Sequence, residues 1–118
     1  MIAAAGASPL RPGDSAAISV ITLGELHAGV RLASDPGVQA MRQARLVAVR
    51  DVFEPVSVDE PIACRYGELL AFARAERRGS KATDLLIVAT ASATGRTLVT
   101  LDDGQASLAR AAGVAVAN

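Results

Sequence analysis

A chain of 118 residues supports one hydrophobic core and is too short for two, so residues 1–118 are read as a single domain. Hydrophobic residues make up 51% and aromatics 3%, which excludes a disordered chain and predicts a core of Ala, Val, Leu and Ile. Twelve basic residues balance twelve acidic ones, so there is no overall basic footprint for nucleic acid, and any such contact needs a local patch.

The opening, MIAAAGASPL, carries no basic region ahead of a long apolar run, and no secretory signal is expected. No apolar stretch approaches the roughly 20 residues of a membrane span, so a cytoplasmic protein is expected. Residues 6–15, GASPLRPGDS, read as a loop rich in Pro, Gly and Ser. AAISVI (16–21) reads as a short buried strand, β-branched and uncharged. Thr22 then N-caps a helix running to about residue 32, with Glu25 at its third position as in a capping box. Leu23, Leu26 and Val30 give that helix a buried face.

SDPG (34–37) breaks the chain before a second helix over about 38–52, and FEPVSV (53–58) is the next strand. Asp59 caps a long helix through EPIACRYGELLAFARAERR, with Pro61 in its first turn, where proline is tolerated, and Gly79 ends it. Cys64, the chain's single cysteine, excludes an internal disulfide and a cysteine-based zinc cluster; its apolar helical setting predicts a small core residue. LLIVATASAT (85–94) is a helix apolar enough to be buried nearly all round, and Gly95 closes it. TLVT (97–100) is a strand, QASLARAA (105–112) a short helix and VAV (114–116) a final strand. Helices alternating with short uncharged strands predict an α/β fold whose parallel sheet is covered on both faces.

Three acids follow apolar sequence instead of lying on a charged face. Glu25 follows the ISVI strand, Asp84 begins the most apolar helix, and Asp102 follows TLVT. With parallel strands, all three fall at the C-terminal edge of the sheet, where open α/β sheets place their chemistry. Carboxylates gathered there repel unless a cation lies among them, and hard oxygen ligands suit Mg²⁺ or Mn²⁺. Taken singly, each acid is equally well read as a helix cap or first-turn residue.

ISVITLGELHAGV (18–30), ATDLLIVATASATGRTLVTLDD (82–103) and the closing AGVAV resemble the PIN-domain family, and more narrowly its VapC-type ribonuclease toxins of bacterial toxin–antitoxin pairs. The likeness runs in the family's order from about residue 17 onward. It implies a PIN-like three-layer α/β/α fold with a short parallel central sheet. It further implies a Mg²⁺- or Mn²⁺-dependent endoribonuclease acting on RNA, usually a homodimer, inhibited by a small VapB-type antitoxin that reaches into its acidic site. Glu25, Asp84 and Asp102 match three of the family's acidic positions and are the expected catalytic and metal-binding residues, with Asp103 a substitute ligand for Asp102.

Two departures stand out. Where the family often has an Asp-Phe pair after this acid, the chain has Gly104 and Gln105. The family also opens with a strand ending in an Asp-Thr-Ser-like motif whose Asp is a principal metal ligand, and nothing here supplies it. MIAAAG reads as the first turns of the helix after that motif, so the first strand is expected to be missing; Asp14 lies in the polar loop and is not promoted to ligand. Lower stability and activity than the family's are therefore expected, and the alternative to an active ribonuclease is an inactive PIN-fold module that binds or titrates an antitoxin.

RAERRGSK (74–81) sets Arg74, Arg77, Arg78 and Lys81 just before Asp84, either to hold RNA phosphates or as cations favourably placed at a helix C-terminus. No interleaved aromatics are present to stack bases. His27 is two residues from Glu25, hence on another helix face and a poor metal partner for it. A receiver-like phosphoryl-transfer domain ranks low, because Lys81 is the only lysine and sits on no strand.

Overall fold

The computed structural model describes residues 2–3 and 17–117. The elements run β1 (Ile2–Ala3), β2 (Ala17–Ser19), α1 (Val20–Leu32), α2 (Pro36–Val52), β3 (Glu54–Val56), α3 (Glu60–Ala75), α4 (Ala82–Thr94), β4 (Leu98–Val99), α5 (Asp103–Ala111) and β5 (Val116–Ala117). The loop expected over 6–15, with Asp14, lies outside the described residues.

Helix starts follow local chemistry. Asp35 accepts a hydrogen bond from the Gly37 N–H at 2.9 Å, ahead of Pro36, and Asp59 accepts from the Ile62 N–H at 3.1 Å, ahead of Pro61. Each such cap contributes about 1 kcal/mol. α1 begins earlier than the sequence suggests: Ser19, not Thr22, is the cap, accepting from the Ile21 N–H at 3.1 Å. Thr22 therefore lies inside the helix, fully buried, and Glu25 is past the capping-box position. Nor does Gly79 stop the third helix. α3 ends at Ala75, and the Arg78 N–H reaches the Ala73 carbonyl at 2.7 Å while Arg77 takes φ 56°. That is a Schellman closure with arginine where glycine is usual. Gly95 does close α4 in the left-handed region, at φ 64°.

All strand pairs are parallel, in the order β3-β2-β1-β4-β5. β1 is central: Ile2 is opposite Ala17 on one side and Leu98 on the other. The expectation that the first strand is missing, with the opening residues helical, is thus corrected for Ile2 and Ala3. A strand paired on both sides needs only apolar, unbroken backbone, which these residues supply. Adjacent strand residues point to opposite faces. Ala17 joins a core with Ile2, Ile62, Leu69, Leu85, Val88, Leu98 and Leu108, whereas Ile18 joins Leu23 and Leu46 in a second core under α1 and α2. Helices therefore cover both faces, as the three-layer expectation requires.

α4 is buried at Leu85 and from Ile87 through Ala91. Cys64 is exposed, contrary to the expectation of a core residue. α3 packs through Ile62, Leu69 and Ala73, spaced by seven and four residues, and Cys64 falls on its opposite side. Among the described residues no helix is long and apolar enough to cross a membrane.

Candidate active site

α1 follows β2 and α5 follows β4, so both start at the C-terminal edge of the sheet. α4 runs back against β4 through the tight turn at Gly95, which returns its first turn, and Asp84, to the same edge. Glu25, Asp84 and Asp102 thus arrive at one edge from three helical segments.

Two of these acids sense each other directly. Glu25, on the exposed side of α1, has its carboxyl pushed above the usual glutamate value, first by partial burial and then by the negative charge of Asp84. Lys81, the residue before α4, pulls it partly back. Glu25, Asp84 and Lys81 therefore form one electrostatic group at the start of α4.

Asp84 is half-buried, and its Oδ1 accepts a hydrogen bond from the Gln105 Nε2 at 3.2 Å. The backbone N–H of the same Gln105 donates to Asp102 Oδ1 at 2.8 Å, making Asp102 the N-cap of α5. The Asp102 N–H in turn donates to the buried Thr100 Oγ1 at 3.1 Å, fixing the turn out of β4. A Cβ at position 104 would lie 3.3 Å from Asp102 Oδ1, so Gly104 leaves that carboxylate room to cap. Asp103 is exposed in the first turn of α5.

The oxygen donors of Glu25 and Asp84, mutually repulsive as they stand, fit a hard divalent cation of the kind held by one or two carboxylates and several waters. Among the described residues, however, no three His, Cys, Asp or Glu side chains converge closely enough to hold an ion. Asp102 is joined to Asp84 through Gln105, with one oxygen already serving as a cap.

The basic candidates separate. Lys81 is exposed and its charge reaches Glu25, Arg74 and Arg77 are exposed at the end of α3, and Arg78 reaches Ser107 Oγ on α5 at 3.3 Å. His27 instead lines a cleft of about 420 Å³ between α1 and α2 with Val30, Arg31, Pro36, Gln39, Ala40 and Gln43. No candidate acid borders that cleft. Gln105 was not legible as a site residue; the available signal was a large amide among the small apolar residues of α5.

A parallel α/β sheet with acids at the mouth of its central strands defines a class of fold, and comparison places the chain within it. The model of the PIN domain matches residues 3–111. Ribonuclease VapC4 of Mycobacterium tuberculosis is 35% identical over 91 residues, spanning 77% of this chain and 69% of that protein. Ribonuclease VapC5 of the same organism is 34% identical over 103 residues, 87% of this chain and 76% of that one. The crystal structure of VapBC-5 from M. tuberculosis, a member of the VapBC family of toxin–antitoxin systems, superposes with a TM-score of 0.78 at 34% identity, covering 85% of this chain and 79% of that one. The chain belongs to the PIN-domain family, as a VapC-type toxin.

Proposed function

We propose that this chain is a Mg²⁺- or Mn²⁺-dependent endoribonuclease that hydrolyses RNA phosphodiester bonds, acts in the cytoplasm as a homodimer and is held in check by a VapB-type antitoxin. The observation that carries this is the arrival of Glu25, Asp84 and Asp102 at the C-terminal sheet edge, with Asp84 and Asp102 linked through Gln105, in a chain similar to VapC ribonucleases and to the VapBC-5 structure.

Glu25 and Asp84 would hold the cation, which when bound lowers the pKa of a coordinated water and offsets charge on the phosphoryl oxygens. Asp102, with one oxygen left free by its cap bond, orients the attacking water from the α5 side. The water oxygen forms the new bond to phosphorus, its proton passes to a site carboxylate, and the 3′ oxygen leaves, so the product carries a 5′ phosphate. Lys81, Arg74 and Arg77 hold the RNA backbone, and Arg78, bonded to Ser107, braces the turn that carries them. Exposed Leu32, Met41, Val47 and Val52 on α1 and α2 supply apolar surface for the partner chains.

The test is cleavage of a mixed RNA pool with Mn²⁺, with EDTA, and with Asp84→Asn. Cutting that needs both the metal and Asp84 supports the enzyme. One observation favours a second reading: the lack of a three-acid cluster among the described residues fits an inactive module that binds antitoxin. A folded chain that binds a VapB-type antitoxin and cuts nothing would establish that reading instead.

A further inference from the structure

The cleft between α1 and α2 lies apart from the acids and takes no part in the hydrolysis described above. Its volume of about 420 Å³ falls within the range of small-molecule sites. His27 and Arg31 line it from α1 and Gln39 and Gln43 from α2, around the apolar surface of Val30 and Ala40. Two hydrogen bonds tie its walls together. Arg42 Nη1 donates to the Gly29 carbonyl at 2.7 Å, and Gln39 Nε2 donates to the Val30 carbonyl at 3.4 Å. Both carbonyls belong to the last turn of α1, where no partner exists within the helix. The same bonds therefore cap α1 and fix its spacing from α2, so the cleft is preformed.

Its lining carries a cation, an imidazole and two amides, and no carboxylate. A guanidinium pairs with phosphate oxygens. Imidazole and guanidinium are also planar, and unstacked RNA bases are read by stacking on such groups together with hydrogen bonds to the base edge. With aromatics only 3% of the chain, His27 and Arg31 supply that stacking surface here. The bond from Gln39 Nε2 turns its Oε1 away from the Val30 carbonyl, and Gln43, one turn further along α2, adds a second amide. A base edge presents both donors and acceptors, as the amides do. An ionised acidic side chain answers Arg31 alone and offers no donor to the Gln39 oxygen. Glu25 and His27 stand about 200° apart around α1, so the acids and the cleft flank one helix. Between them its exposed surface carries only Gly24 and Ala28, and a side chain at Gly24 would meet nothing within 4 Å. A single strand can cross there with little in its way.

We propose that the α1–α2 cleft is a nucleotide subsite for the RNA substrate: one base, a few nucleotides from the bond that is cut, enters beside His27, its edge is read by the Gln39 and Gln43 amides, and Arg31 holds an adjacent phosphate. This role rests on the RNA hydrolysis proposed above. It gives the enzyme a sequence preference set away from the reacting atoms.

Fluorescence anisotropy of the full chain with labelled single-stranded RNA homopolymers of each base, in EDTA so that nothing is cut, tests this. The variants are Gln43→Leu, Gln43→Glu and Arg31→Ala; both positions are exposed, so each variant is expected to melt with the unaltered chain. The unaltered chain is expected to prefer one base. Gln43→Leu should bind that homopolymer at least about 5-fold more weakly and lose the preference. Gln43→Glu keeps the shape but sets a negative charge in the cleft, and should weaken every homopolymer. Arg31→Ala should weaken all of them alike and lower the slope of log affinity against log salt by about 0.7, the share of one phosphate contact on a single strand. With Mn²⁺, Gln43→Leu should raise KM, leave kcat unchanged and redistribute the cut positions in a mixed RNA pool. Equal binding of every homopolymer, or variants that alter neither base preference nor salt slope, overturns the subsite; cutting by the unaltered chain then leaves the ribonuclease reading standing. If those variants instead lose affinity for a VapB-type antitoxin, the cleft belongs to that protein and the subsite is likewise overturned. An unaltered chain that neither binds nor cuts RNA overturns the ribonuclease reading itself, and the subsite with it.

Discussion

Asp84 and Gln105, 21 residues apart in sequence, are joined side chain to side chain by a 3.2 Å hydrogen bond that ties the first turn of α4 to the first turn of α5. Through the Gln105 backbone N–H the link extends to Asp102, so two acids from separate segments bond to one buried residue, one through its side chain and one through its backbone. Glu25 completes the group from α1 by charge alone. A site assembled this way responds to proton and metal together.

In EDTA, the raised pKa of Glu25 sets the sign of its pH dependence. Its contribution to stability is fully present below the ordinary glutamate value of 4.5 and is lost as pH rises through the higher native value. Glu25→Gln is expected to flatten that decline in thermal melts across the acid range. Its exposure keeps the effect small. Mn²⁺ at a hundredfold excess over its dissociation constant should stabilise the unaltered chain by about 2.7 kcal/mol at neutral pH and the variant by less. Parallel melts of the two proteins, with and without Mn²⁺, would show that Glu25 bears neither burden.

Asp102 serves as a helix cap and as a candidate catalytic charge, and two substitutions separate these. Asparagine caps as well as aspartate, so Asp102→Asn should melt within a degree or two of the unaltered chain yet cut RNA far more slowly. Asp102→Ala loses the bond to the Gln105 N–H and is expected to lose about 1 kcal/mol as well. Full activity in Asp102→Asn would reduce the residue to a cap.

Arg77 holds a left-handed backbone at φ 56° that costs an L-residue about 1–2 kcal/mol. Glycine relieves it and gives back roughly 0.4–1 kcal/mol through its freer unfolded chain. Arg77→Gly should therefore stabilise the protein by about 0.5 kcal/mol in denaturant unfolding. A concurrent rise in the KM for RNA would show that Arg77 contacts the backbone of the substrate.

Leu85 follows Asp84 directly and is 1% exposed in the core between α4 and the sheet. Leu85→Ala is expected to cost about 2–5 kcal/mol, enough to threaten a domain of this size. Chemical denaturation measures the loss. A cost below 1 kcal/mol would mean that α4 can collapse into the space, and that Asp84 is less firmly set than its surroundings imply.

Short-range chemistry was readable wherever one residue type decides a conformation. Asp59 before Pro61 and the left-handed Gly95 mark helix ends as the sequence suggests, while α2 starts at Pro36, inside the SDPG break and two residues ahead of its expected start. Reading failed where two hydroxyls competed, Ser19 and Thr22, because either can cap and the strand's length in the sheet decides between them. It failed again at Gly79, where the chain turns on Arg77 before reaching the glycine. Cys64 was misplaced through its apolar neighbours, although the spacing of Ile62, Leu69 and Ala73 puts it on the outer side of α3.

The sequence by itself determined the alternation of strands and helices, the burial of α4, the PIN-type order of motifs and the edge of the sheet at which Glu25, Asp84 and Asp102 would gather. These follow from periodicity, capping and parallel connection, all local or nearly so. Tertiary packing alone sets that Ile2 and Ala3 fill the central strand, that the charge of Asp84 reaches Glu25 while Asp102 is tied to Asp84 through Gln105, and that Gln105 keeps a buried oxygen without a partner among the described residues. Those relations join residues distant in the chain, and their geometry is set by how α1, α4 and α5 pack around one sheet edge, which no spacing along the sequence encodes.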